Sequence, residues 1–275
     1  MKQKKITFIG CGNMGRSLIG GLIANGHPAK LICGADPGAE QREQTRELFN
    51  IETLDDNIQA IHGADVVVLA VKPQAMETTL TPLADTLRQQ KTLIISIAAG
   101  IRLSAMEHWL GEALPVVRVM PNTPALIQAG AAALYANPAV TEVQRELAES
   151  IMRSTGLTLW LEDESLMDAV TALSGSGPAY FFLIMEVLEK AAIKLGLGEE
   201  QARLLTLETA FGAAKMALES KQDAATLRRQ VTSPGGTTEA ALNVLQQGNI
   251  GQLFEQALTA AQQRSVELAN SFGEK

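Results

Sequence analysis

The sequence predicts an α/β protein: a doubly wound, parallel sheet in the first half, followed by an all-helical half. Three observations carry this prediction. First, short, mainly apolar runs recur at residues 6–9, 31–35, 66–71, 93–97 and 116–120, that at 66–71 being apolar throughout. Runs without alternation are expected of strands buried on both faces. Second, helix-periodic stretches such as 14–24 and 74–90 lie between them, giving the βαβ alternation of a parallel sheet. Third, the pattern changes after about Asp163. Residues 157–161 read as a last strand, and beyond them only helical periodicity remains, at 179–195, 199–220, 237–246 and 250–271. The breaks fall at 196–198, 233–236 and Gly248. The expected division is therefore 1–163 for the sheet domain and 164–275 for the helical domain. Pro178 sits just inside the long helix, where its missing N–H costs nothing. That helix is apolar around much of its circumference, which predicts burial between subunits.

Composition narrows the function classes. Of the 275 residues, 46% are hydrophobic but only 4% aromatic, so the core is built from aliphatic side chains. The net charge of -7, with no basic run to offset it, argues against a nucleic-acid surface. The cysteines, Cys11 and Cys33, have no metal-ligand spacing, and neither a metal site nor a disulfide framework is expected. The basic N-terminus leads into a short strand-like run and not a signal peptide. No stretch reads as long and apolar enough to span a bilayer. No membrane partner is expected, and a cytoplasmic location is.

The first run ends in Gly10-Cys11-Gly12-Asn13-Met14-Gly15, a GxGxxG pattern. In a strand–turn–helix context this pattern binds a dinucleotide. Gly10 permits the turn, Gly12 lets the backbone approach a pyrophosphate, and Gly15 lets helix and strand pack closely; the helix start faces the negative charge. Asp36 follows the second run at the spacing of an acid that meets the adenosine ribose hydroxyls. An acid there favours NADH over NADPH, yet Lys30, Arg42 and Arg46 stand nearby as candidates for a 2'-phosphate, so the coenzyme stays open. The Ala70-Val71-Lys72-Pro73 segment closes the third buried run, at the end of a strand where ligands bind in such sheets. Lys72 is read either as a phosphate or ribose contact or as a turn cap. Ala98 and Ala99, before Gly100, are small enough to lie close under a nicotinamide ribose. Prolines 121 and 124 stiffen the loop that holds Asn122 and Thr123.

Two glycine-rich segments interrupt the helical half, Leu173 to Tyr180 and Val231 to Thr238, each leading into a helix. Both offer backbone N–H groups and hydroxyls to an anion such as a carboxylate. The second is the expected ligand site, and the first is expected to serve packing.

With these pieces in view, the chain resembles the pyrroline-5-carboxylate reductase family. The matching segments are FIGCGNMG (8–15), AVKP (70–73), SIAAG (96–100), MPNTPA (120–125), SGSGPAYFF (174–182) and TSPGGTTEAAL (232–242), which span nearly the whole chain in order. The resemblance implies a Rossmann domain followed by an all-α dimerisation domain, assembled as a homodimer or a ring of dimers. It implies NADPH or NADH held by Ile9, Gly10, Cys11, Gly12, Asn13, Met14, Gly15, Asp36, Asn57, Ala70, Val71, Lys72, Pro73, Ala98, Ala99 and Asn122. The substrate pyrroline-5-carboxylate would be held by Gly235, Gly236, Thr237 and Thr238. On this reading the N–H groups of Gly236, Thr237 and Thr238 grip the carboxylate, and the Thr238 hydroxyl, as the catalytic group, bonds the ring nitrogen. Two positions depart from the family pattern: Asp36 stands where a small polar residue is frequent, and Thr237 where alanine is. Hydroxyacid dehydrogenases share the plan but use a lysine in the interdomain helix, and residues 177–185 contain none. A non-enzymatic dinucleotide sensor would not need the second glycine turn.

Overall fold

The computed structural model describes residues 4–111 and 114–273. The chain forms two compact units, Met1–Ser176 together with Ala261–Lys275, and Gly177–Ala260. These units break later than the expected division after residue 163, and the C-terminal stretch belongs to the first.

The first unit holds the strands β1 (Ile6–Ile9), β2 (Ile32–Ala35), β3 (Glu52–Leu54), β4 (Val66–Leu69), β5 (Leu93–Ser96), β6 (Val116–Met120), β7 (Gly130–Ala136) and β8 (Gly156–Trp160). They form one sheet in the order β3-β2-β1-β4-β5-β6-β7-β8. Its helices are α1 (Asn13–Ala24), α2 (Ala39–Phe49), α3 (Asn57–Ala60), α4 (Met76–Leu80), α5 (Ala84–Gln90), α6 (Leu103–Leu110), α7 (Glu142–Arg153) and α8 (Met167–Val170). Strand β4 explains the double winding. Its side chains alternate, so Val66 and Val68 enter the core with Leu18, Ile19 and Ile151, while Val67 and Leu69 enter the opposite core with Met76, Leu80 and Met106. Each of the four is fully buried, a stabilisation of about 1.5–3 kcal/mol per side chain.

Three expectations need correction. The sheet is parallel from β3 to β6, but β7 runs antiparallel to β6, Val117 facing Ala136 and Met120 facing Ala133. The link between them is one 3-10 turn, Thr123–Ile127, too short for a parallel crossover. Strands β3 and β7 were not anticipated, the first because it is a three-residue edge, the second because its Gly-Ala-Ala-Ala start has little strand propensity. The single helix expected over 74–90 is broken at Thr81–Leu83, where Pro82 removes a helical donor.

The second unit contains α9 (Gly177–Lys194), α10 (Glu199–Glu219), α11 (Ala224–Gln230), α12 (Thr237–Gln247) and the start of α13 (Ile250–Gly273). Helix α11 was missed because it is short; the Asp223 carboxylate caps it by accepting from the Thr226 N–H at 2.6 Å. Among the described residues no strand follows β8. This unit buries almost nothing of its own. Ala202 is its one buried apolar side chain, whereas Phe181, Phe182 and Phe211 are each 64% exposed in the single chain. The helical run Glu164–Lys194 is long and apolar enough, by length and composition, to cross a membrane, which corrects the expectation that no stretch is. The glycine-rich segment expected to interrupt the helices contains instead a π-helical turn, Thr171–Gly175, within that run.

The first unit also contains a buried ion pair. Arg118 on β6 has 5% of its side chain exposed and donates to the Glu164 carboxylate at 2.8 Å. The same carboxylate oxygen accepts from the Leu103 N–H at 2.8 Å. Leu103 starts α6, whose own N-cap residue, Arg102, supplies no side-chain cap. Glu164 thus both neutralises a buried cation and satisfies an orphan helix donor. Glu164→Ala is expected to lower stability by about 3 kcal/mol, because it strands the Arg118 charge. A fall in the urea midpoint without a change in slope would register it.

Both cysteines are buried in this unit. Burial, reinforced by the charge of Asp36, pushes the Cys11 thiol up to about 11. Burial, with Glu52 adding, pushes Cys33 up to about 12. At about pH 8 the folded protein should therefore resist iodoacetamide while the urea-unfolded chain is labelled at both positions. Both values lie above the unfolded 9.0, so the contribution to stability is complete below that pH and is lost as pH rises through about 11 and 12.

Candidate active site

Because β1 to β6 run parallel, every loop that follows one of them emerges at the same edge of the sheet. The strand order reverses between β1 and β4, which opens the crevice where ligands bind in doubly wound sheets. The structure places the residues expected to hold a coenzyme in the first unit at this edge. Ile9 ends β1 and leads into Gly10, Cys11 and Gly12; Asn13, Met14 and Gly15 begin α1. Asp36 follows β2, and Asn57 begins α3 after β3. Ala70, Val71, Lys72 and Pro73 follow β4, across the crevice from the glycine turn. Ala98 and Ala99 follow β5, and Asn122 follows β6.

The glycine turn is closed beneath and open above. Gly10 has φ +102°, and a Cβ there would lie 2.5 Å from the Ala70 carbonyl oxygen. A Cβ at Gly15 would lie 2.5 Å from the Gly10 carbonyl oxygen, so this glycine seats α1 against the turn. At Gly12 an added Cβ would meet nothing within 4 Å. No side-chain hydrogen bond caps α1. Its first N–H groups therefore remain available to a phosphate, and the open face at Gly12 admits one. These features fit a dinucleotide.

The Asp36 carboxylate is held on both oxygens. One accepts from the Cys11 N–H at 2.9 Å and the other from the Gly38 N–H at 2.8 Å. Of the three basic residues weighed beside it, Arg42 donates to the carbonyls of Asp36 at 2.7 Å and Pro37 at 2.9 Å. Arg46 pairs with Glu43. Lys30 precedes β2, at the end of the strand away from Asp36, and drops out as a phosphate partner. Arg16, not singled out from the sequence, lies in the same region and donates to Asn13, Gln41 and Gln44, all of them neutral.

Lys72 is exposed and precedes the short 3-10 turn that starts at Pro73. Asn57 is half-buried beside Asp56, whose carboxylate caps α3. Ala98 is buried, Ala99 exposed, and the Phe272 ring lies over Gly100, which has φ +74°. Asn122 is engaged at both ends of its amide: the oxygen accepts from the Ala131 N–H at 2.8 Å, and the nitrogen donates to the Ser174 carbonyl at 3.2 Å. Its side chain is thus a brace between loops, with Ser174 as a partner the sequence did not reveal. In that first glycine-rich segment, a Cβ on Gly175 would come within 2.4 Å of the Met120 methyl, so the segment packs closely against the end of β6.

The turn expected to hold the substrate lies in the second unit. Gly235 has φ +72°, and Gly236 precedes the first residue of α12, which no side chain caps. The Gly236 N–H is already donated to the Ser233 carbonyl at 3.0 Å, so the expected three-donor grip reduces to Thr237 and Thr238. The reason is the tightness of the turn, which consumes its own donor. Glu239, which was not singled out, reaches back to accept from the Gly235 N–H at 2.7 Å. It occupies the third helical position, where a glutamate ordinarily bonds the N-cap N–H. With that donor taken, it bonds the preceding one. Thr237 and Thr238 are exposed. No group of three or more His, Cys, Asp or Glu side chains suited to a metal occurs among the described residues.

Known proteins match both halves. Residues 164–268 match the family model of pyrroline-5-carboxylate reductase dimerisation, and residues 5–100 match that of NADP oxidoreductase, coenzyme F420-dependent. A pyrroline-5-carboxylate reductase of Pseudomonas aeruginosa is 54% identical over 274 residues, covering 100% of both chains. The structure of a pyrroline-5-carboxylate reductase from Coxiella burnetii superposes with a TM-score of 0.94 at 49% identity, over 98% of this chain and 99% of that one. The Plasmodium falciparum pyrroline carboxylate reductase, crystallised with NADP bound, gives a TM-score of 0.87 at 30% identity, over 98% and 99%. A glycine turn open toward a dinucleotide, a second uncapped helix start and end-to-end similarity at this level converge: the chain belongs to the pyrroline-5-carboxylate reductase family.

Proposed function

We propose that this protein reduces 1-pyrroline-5-carboxylate to L-proline, the last step of proline biosynthesis, with NAD(P)H as hydride donor to the imine carbon. The single observation that carries this reading is similarity to a pyrroline-5-carboxylate reductase along the whole chain, 54% over 274 residues. A bound nicotinamide supplies the hydride; the chain supplies placement. The free N–H groups at the start of α1 hold the pyrophosphate, with Ile9, Gly10, Cys11 and Gly12 shaping the turn around it. Asp36 and Asn57 meet the adenosine side. Ala70, Val71, Lys72 and Pro73 line the crevice at β4, and Ala98 and Ala99 leave room for the nicotinamide ribose. Asn122 acts by bracing its loop.

In the second unit, Gly235 and Gly236 bend the chain so that the N–H groups of Thr237 and Thr238 hold the substrate carboxylate. The Thr238 hydroxyl bonds the ring nitrogen and holds the proton there, which makes the adjacent carbon electrophilic. Holding donor and acceptor carbons in register is worth about 7–11 kcal/mol in favourable cases. A cyclic imine that arrives protonated needs no further acid.

The exposed aromatic and aliphatic faces of α9, α10 and α13 supply the argument for assembly. Unburied side chains such as Phe181, Phe182, Phe211 and Phe254 cost solubility unless a second copy covers them. The protein is therefore a homodimer or a ring of dimers, and the apolar run Glu164–Lys194 is subunit interface and not membrane anchor. Its unpaired cysteines accord with a reducing cytoplasm.

Spectrophotometry with pyrroline-5-carboxylate should show imine-dependent loss of NADH or NADPH absorbance; none with either coenzyme would refute the assignment. Thr238→Ala should reduce kcat/KM by up to about 3–4 kcal/mol equivalent while circular dichroism stays native. Gly10→Ala should abolish coenzyme binding, since its Cβ would collide with the Ala70 carbonyl. Light scattering should give at least twice the 29.3 kDa of one chain, and a monomer would contradict the assembly.

A further inference from the structure

We infer that this enzyme selects NADH over NADPH, and that Asp36, locked against the glycine turn, is the residue that does so. The inference rests on the proposed reductase reading and settles which of its two coenzymes the chain takes.

The carboxylate is not free to swing away. One oxygen accepts from the N–H of Cys11, the middle residue of the Gly10–Gly12 turn, at 2.9 Å, and the other from the Gly38 N–H at 2.8 Å. The group is therefore pinned at the junction of the phosphate turn and the end of β2, beside the place where an adenosine ribose lies in this fold. Two bonds leave about half of its lone-pair sites vacant. Ribose 2'- and 3'-hydroxyls are donors that can fill them. A 2'-phosphate has acceptors only and carries nearly two negative charges, so it meets a fixed anion with nothing to offer it.

The surrounding cations do not reverse this. Arg42, with 21% of its side chain exposed, is stapled through one nitrogen to the carbonyls of Asp36 and Pro37, and its other terminal nitrogen lies 3.9 Å from Asp55. Arg46 is taken by Glu43. Arg16 has only neutral acceptors, but three of them, Asn13, Gln41 and Gln44, hold its guanidinium in the seam between α1 and α2. A phosphate would have to pull one of these from existing bonds while facing Asp36.

The test is binding, measured by calorimetry on the purified full-length protein without imine. Four probes are used: NADH, NADPH, ADP-ribose and 2'-phospho-ADP-ribose. The last two lack the nicotinamide and isolate the ribose contact. The unmodified forms should bind at least tenfold tighter in both pairs, equivalent to about 1.4 kcal/mol. Asp36→Ser should erase or invert that ratio. Asp36→Asn keeps an oxygen for the Cys11 N–H while removing the charge, and should narrow the ratio without loss of ADP-ribose binding beyond that expected for the ribose hydroxyls. Equal or tighter binding of the phosphorylated forms by the unmodified protein would overturn the inference and leave the reductase assignment standing. So would a ratio unchanged in both variants. Failure of both coenzymes to bind at all would remove the assignment itself, and this inference with it.

Discussion

The approach of the Gly10 backbone to the Ala70 carbonyl is the constraint on which the nucleotide edge depends. β1 and β4 are neighbours whose chains part in opposite directions at the strand-order reversal, and the two loops that follow them must pass within contact distance. There is no room for a Cβ: at Gly10 it would stand 2.5 Å from that oxygen. Gly15 repeats the requirement one turn later against the Gly10 carbonyl, which draws the start of α1 down onto the turn. The uncapped N–H groups then start from a fixed platform, and the open side at Gly12 leaves room for a ligand. Three glycines thus do three different physical jobs, and only one of them concerns the ligand directly.

Around that platform the polar groups are spent on holding loops. Asp36 ties β2 to the glycine turn. Asn122 ties the end of β6 to Ala131 and Ser174, and Glu164 ties β6 to the first residue of α6 through Arg118 and the Leu103 N–H. Asp36 and Asn122 act at the ends of parallel strands, where backbone donors and acceptors run out of sheet partners, and Glu164 acts at the start of a helix, where N–H groups have no helical partner. The same braces therefore satisfy orphaned backbone groups and fix the edge proposed to carry the coenzyme. Rigidity of this kind suits a reaction in which placement does most of the catalytic work.

The second unit follows another logic. It has long, well-formed helices, yet among its described residues Ala202 is the one buried apolar side chain. Helix formation there is local, but the hydrophobic gain that would stabilise the packing is not available within one chain. The tight Ser233–Gly236 turn and the Glu239 bond to Gly235 nonetheless give its α12 start a defined shape. A unit that needs a second copy for its core, and carries the carboxylate-ready turn, makes assembly a precondition of activity under the proposed function.

The apolar runs, the glycine spacing and the two glycine-rich turns are local patterns, and they were enough to read most of the strands, the strand–turn–helix at Gly10–Gly15, the helical second half and the family. Several features depend instead on what lies across space. The antiparallel return of β7 follows from a short link and not from its alanine-rich sequence. The continuous run Glu164–Lys194 passes through glycines that look like breaks, because a π-turn and the contact with Met120 absorb them. The loss of Gly236 as a donor and the capture of Asn122 by Ser174 likewise depend on folded geometry, whereas the separation of Lys30 from Asp36 already follows from the 31–35 run that lies between them. Periodicity and turn chemistry are properties of neighbours along the chain, so sequence alone determined them. Which donor is already spent, and which charge has a partner, is decided by folded geometry: the partners of Asp36, Asn122 and Arg118 lie tens of positions away, while the Ser233–Gly236 turn closes on itself.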